Sequence, residues 1–95
     1  MSIAITILTS RECKLCEQAK LVLDRVAENY DIRVEPVSVE SPLGKELVIE
    51  HRVAFTPGII IQGKTFSYGR LSERKLRREL DRIVELNLQL PSESM

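Results

Sequence analysis

The chain has 95 residues, 43% of them hydrophobic and 29% charged, with 14 Lys+Arg against 14 Asp+Glu. Those values belong to a soluble globular protein of one small domain with a single modest core, and they exclude a disordered chain. A net charge of zero offers no general attraction to nucleic acid or to an anionic membrane surface, so neither is expected as a partner.

Ile3-Ala4-Ile5-Thr6-Ile7-Leu8 is nearly continuous apolar and β-branched sequence. It reads as a central strand covered on both faces. It is too short for a leader, Met1-Ser2 before it carries no basic stretch, and no segment approaches the ~20 apolar residues of a membrane span. The expected compartment is therefore the cytoplasm.

After the polar link Thr9 to Glu12 the period becomes helical from Cys13. Ala19, Val22, Leu23, Val26, Ala27 and Tyr30 fall on one face, and an end is expected near Asn29-Tyr30. Residues 32–38 alternate as a second strand, which Pro36 places at a sheet edge because proline cannot donate to a ladder. Ser41-Pro42 starts a second helix, with a hydroxyl at the N-cap and proline at the first helical position. Leu43, Leu47 and Val48 are its expected buried face, Gly44 weakens it, and it ends near His51-Arg52.

Gly58 to Ile61 and Thr65 to Tyr68 flank Gln62-Gly63-Lys64, a hairpin pattern. Ser72 caps a third helix whose apolar face is Leu76, Leu80, Ile83, Val84 and Leu88. Residues 1–88 are expected to form one domain and 89–95 a flexible tail. The order β-α-β-α-β-β-α predicts an α/β fold: a parallel first pair with a right-handed crossover, an antiparallel hairpin, and a four-stranded mixed sheet with helices on both faces.

Cys13-Lys14-Leu15-Cys16 contains the only two cysteines, placed where a strand gives way to a helix. Two buried small residues would be the unremarkable explanation. Zinc normally takes four protein ligands, and His51 is the sole histidine, so a zinc site would require a second subunit. A dithiol able to form and break a disulfide fits the strand–helix junction better. The free N–H groups of a helix start favour thiolate, so Cys13 is the expected nucleophile, and Cys16, one turn in, the resolving thiol. Lys14 adds a positive charge that Glu12 and Glu17 oppose. A Cys13 pKa of about 6 to 7.5 is expected.

Phe55-Thr56-Pro57-Gly58 precedes the hairpin. X–Pro bonds are mostly trans, but a proline here meets the cysteine pair if its strand lies beside the first. A cis bond would turn the Thr56 backbone toward an extended peptide or glutathione.

Thr9-Ser10-x-x-Cys13-x-Leu15-Cys16-Glu17-Gln18-Ala19-Lys20, then Thr56-Pro57, then a glycine-turned hairpin and a last helix, resemble the thioredoxin superfamily over residues 3–86. The small size resembles glutaredoxins and small glutaredoxin-like thioredoxins in particular. The resemblance implies a thioredoxin-like fold, a nucleophilic Cys13, a resolving Cys16 and a cis-Pro57 shaping a substrate groove. Lys14, Leu15, Phe55 and Thr56 would be substrate-binding neighbours. Lys-Leu stands between the cysteines in place of the Gly-Pro or Pro-Tyr of typical members, and Ile7 takes the place of the buried strand acid of thioredoxins. Tyr68-Gly69-Arg70-Leu71-Ser72-Glu73 keeps one glycine and the capping serine of the glutaredoxin glutathione pattern.

The expected activity is thiol–disulfide exchange on a disulfide-containing protein, by a monomer with no bound cofactor or metal. A reductase or glutathione would supply electrons, at a potential of roughly −200 to −270 mV. A glutathione-dependent glutaredoxin and a non-enzymatic binding or redox-sensing module are the alternatives. Arg70, Arg74, Arg78 and Arg82 recur on the last helix and read as a solvated charged face paired with Glu79, Asp81 and Glu85. His51 reads as a residue of a helix C-terminus, and Tyr68 and Phe55 as either groove or packing residues.

Overall fold

Seven elements run in the expected order: β1 (Ile3–Thr9), α1 (Lys14–Val26), β2 (Ile32–Ser38), α2 (Pro42–His51), β3 (Gly58–Ile61), β4 (Lys64–Tyr68) and α3 (Glu73–Gln89). The computed structural model describes residues 2–89, with backbone alone at 88 and 89. Beyond Gln89, the tail expected over 89–95 lies outside the described residues, as does the side chain of Leu88.

The sheet order is β2-β1-β3-β4. β1 and β2 are parallel, while β3 is antiparallel to both β1 and β4. This is the expected four-stranded mixed sheet with three helices. β1 occupies the middle because its run of apolar side chains can be satisfied only with both faces covered. Ile3, Ile5 and Ile7 pack with Ala19, Leu23 and Val26 of α1 and with Leu76 and Leu80 of α3. Leu8 turns to the opposite face, where it meets Ile60 and Val53, with Leu47 and Val48 of α2 against them. β2 is an edge strand, so Pro36 interrupts a ladder that is open on one side. The hairpin turn is Gln62-Gly63, both with positive φ (52° and 81°), the two-residue geometry that glycine eases.

Three details differ from expectation. α1 ends at Val26, because the N–H groups of Asn29 and Tyr30 both return to the Val26 carbonyl and close the chain into a turn. Ala27 is therefore exposed, while Tyr30 packs against the core and its hydroxyl donates to Asp81 at 2.5 Å. Leu43 is 53% exposed rather than part of the buried face of α2. Its turn meets the sheet through Gly44 instead, where an added Cβ would stand 1.8 Å from the Ser38 carbonyl oxygen. Val84 of α3 is 41% exposed, on the outer side of the stripe formed by Leu76 and Leu80.

α1 and α3 are also joined by charge. Glu73, at the start of α3, accepts from Arg25 (2.8 Å) and from Arg77 (3.0 Å). Arg77 reaches on to Asn29 at 2.9 Å. The hydrogen bond from Arg25, then that from Arg77, holds the Glu73 carboxyl below its ordinary value.

Substitutions at Gly44 and Glu73 test this packing. Gly44→Ala removes a poor helix former but forces a methyl into backbone, so overpacking outweighs propensity and unfolding should be easier by about 1–3 kcal/mol. Urea denaturation measures it, and a variant as stable as the parent contradicts the contact. Glu73 has a lower pKa folded than unfolded, so its stabilisation is present at neutral pH and fades as pH falls through the depressed value. Glu73→Gln should therefore be less stable than the parent at pH 7, with the gap closing in acid. A gap that ignores pH would contradict the clamp.

Candidate active site

β1 delivers the chain to the C-terminal edge of the sheet, and Arg11-Glu12 turns it. Glu12 adopts φ 50°, a left-handed conformation uncommon for a residue with a side chain. Cys13 follows in extended conformation as the N-cap of α1. Its sulfur accepts a hydrogen bond from the Cys16 backbone N–H at 3.1 Å, and its carbonyl accepts from Glu17 N–H at 3.2 Å. Cys13 and Cys16 are joined as a disulfide, with Cα atoms 5.2 Å apart. The two sulfurs sit in unequal surroundings: Cys16 is 3% exposed, on the face of α1 that packs inward, whereas Cys13 is only half-buried.

Antiparallel pairing of β1 with β3, Leu8 opposite Gly58, brings the segment before β3 beside the cysteines. The Thr56–Pro57 peptide bond is cis. Pro57 is buried, and its carbonyl accepts from Gly69 N–H at 2.9 Å. The Thr56 hydroxyl lies 3.5 Å from Cys13 Sγ and 2.7 Å from the Ser10 hydroxyl.

A groove of about 610 Å³ opens next to Thr56, lined by Leu15, Val39, Val48, Val53, Ala54, Phe55 and Gly69 as well as Thr56 itself. Phe55 is 68% exposed and its ring centroid is 6.1 Å from that of Tyr68. Both rings thus stand at the surface rather than in the core. Lys14 is exposed on the first turn of α1 and does not line the groove. Of the residues picked out from sequence, Cys13, Cys16, Leu15, Phe55, Thr56 and Pro57 come together. His51 stands apart, its Nδ1 2.6 Å from the Thr65 hydroxyl on β4. Val39, Val48, Val53 and Ala54 had no functional signal in the sequence, and Ser10, although part of the motif around the cysteines, was given no role there. Ser10 and Thr56 are 46 positions apart, and no local pattern links them.

A thioredoxin-domain family model matches residues 1–82, so the chain belongs to the thioredoxin family. Solved structures share the fold. A thioredoxin from Thermus thermophilus superposes with a TM-score of 0.57 at 27% identity, covering 87% of this chain and 74% of that one. A mutant thioredoxin from Halobacterium salinarum gives 0.67 at 18% identity, over 85% of this chain and 74% of its own. Thioredoxin O2 from Arabidopsis thaliana, in the oxidized state, gives 0.66 at 14% identity, over 86% and 75%. No curated protein sequence matches the chain. No described helix is long and apolar enough to cross a membrane.

Proposed function

We propose that the protein is a thiol–disulfide oxidoreductase that acts on disulfides carried by proteins. In the reduced form the Cys13 thiolate attacks one sulfur of a substrate disulfide. A Cys13–substrate bond forms, the substrate bond breaks, and one substrate thiolate leaves. Cys16, as thiolate, then attacks Cys13 Sγ, closing the internal disulfide and releasing the second substrate thiolate. Two electrons pass to the substrate, and an external dithiol or reductase must return them. The observation that carries this reading is the asymmetric pair. A half-buried sulfur caps a helix N-terminus, where charge on it is favoured, and a buried sulfur waits one turn in. Thr56, Pro57, Leu15 and Phe55 form the substrate side, and Lys14 is exposed on the first turn of α1, outside the groove lining.

The groove favours a protein segment over glutathione. Glutathione carries two carboxylates that ask for cationic partners. The described lining of the groove is aliphatic and aromatic, with Thr56 its one side-chain polar group and no charged side chain. An extended segment with an apolar residue beside its cystine fits that surface. The cytoplasm, where thiols stay reduced, suits such an activity.

Insulin reduction coupled to a thioredoxin reductase or dithiothreitol, run beside a glutathione-coupled disulfide assay, tests the proposal. The expected result is activity with insulin, abolished by Cys13→Ser, and little turnover in the glutathione assay. Turnover only with glutathione would make the protein a glutaredoxin. Turnover in neither, with the disulfide still forming and opening, would make it a binding or sensing module.

A further inference from the structure

Three side chains from two loops form a line: Ser10 Oγ, Thr56 Oγ1 at 2.7 Å, then Cys13 Sγ at 3.5 Å. The direction of this line is set by chemistry. A disulfide sulfur has no hydrogen, so the Thr56 hydroxyl must be the donor to Cys13. A hydroxyl has one hydrogen only. With it aimed at sulfur, the Thr56 oxygen can only accept from Ser10, which must therefore donate. Building on the oxidoreductase reading above, we infer that the Ser10–Thr56 relay tunes the Cys13 thiolate. Thr56 is its side-chain donor and Ser10 the positioning residue that keeps that donor aimed.

The reduced protein gains most from this arrangement. A thiolate accepts more strongly than a disulfide sulfur, and a hydrogen bond to the charged form of a group lowers its pKa. Cys13 then has two donors, the Cys16 N–H from the helix terminus and the Thr56 hydroxyl from the opposite loop. Neither is an ionised side chain, so the tuning persists at high salt, unlike that from an exposed lysine. Ser10 acts through Thr56. Without it, the hydroxyl of Thr56 is free to rotate and give its hydrogen to water, and the polarisation passed along a chain of hydrogen bonds is lost.

Titrating the thiolate absorbance near 240 nm in a Cys16→Ser background isolates Cys13. With Thr56→Val the thiolate fraction at a fixed pH below the pKa should fall roughly tenfold, as for loss of a hydrogen bond to a charged group. Ser10→Ala should lower it about threefold through the weakened relay, and Ser10→Thr should restore it. Added to Thr56→Val, Ser10→Ala should change nothing further. An unchanged pKa in Ser10→Ala overturns the relay, as does an equal shift with and without Thr56. If Ser10→Ala does not fold, Thr56→Val alone decides, and no shift there is equally contrary. The titration involves no substrate, so an inactive parent in the insulin assay would sink the oxidoreductase reading and leave this result standing.

Discussion

The first helix of this protein is capped by a sulfur. Serine, threonine, aspartate and asparagine are the residues that cap helices well, and the bond from Cys16 N–H to Cys13 Sγ replaces what one of them would supply. As a neutral acceptor the sulfur is weak. As a thiolate it is a charged acceptor facing the positive end of a helix dipole, so the cap strengthens when the disulfide opens. Stability at this corner is coupled to redox state, and the rest of the fold is arranged to hold that corner in place. β1 lies buried in the middle of the sheet and delivers the chain to it, and α1 is anchored behind it by Ala19, Leu23 and Val26. The Glu73 clamp ties α1 to α3 outside the core.

A second constraint operates from the other side of the sheet. Pairing of β1 with β3 is what carries Thr56 and Pro57 to the cysteines, and α2 with the residues after it supplies the wall of the groove. Gly44 does not line the groove but sets how closely α2 approaches β2. α2 sits so close to the end of β2 that any side chain at 44 would strike the Ser38 carbonyl. A residue that weakens the helix in isolation thereby lets it approach and bury Leu47 and Val48 over Leu8 and Ile60.

Much of this was legible in the sequence because the signals are local. The apolar run of β1, Ser41-Pro42 at the start of α2, the Gln62-Gly63 turn and the stripe of Leu76 and Leu80 each carry their own instruction. What was misread depended on neighbours distant in the chain. Leu43 and Val84 lie within helical stripes, yet the depth of each stripe is fixed by the sheet it meets. α1 stops early because the backbone at Asn29 and Tyr30 folds back on Val26, which periodicity does not record. In the site, Cys13, Cys16 and Thr56-Pro57 were recognisable as a pattern. Ser10 stood in the same motif, but its contact with Thr56 exists only once β1 and β3 are side by side. The apolar lining of the groove was hidden for the same reason.

In the proposed reaction the two sulfurs have different tasks, with Cys13 meeting the substrate and Cys16 releasing it. The most direct measurement is intermediate trapping with single-cysteine variants and a disulfide-bonded protein, read by non-reducing electrophoresis and peptide mass. Cys16→Ser should accumulate a covalent adduct through Cys13 that dithiothreitol reverses, while Cys13→Ser should accumulate little. Equal trapping by both variants, or an adduct mapped to Cys16 alone, would contradict the account.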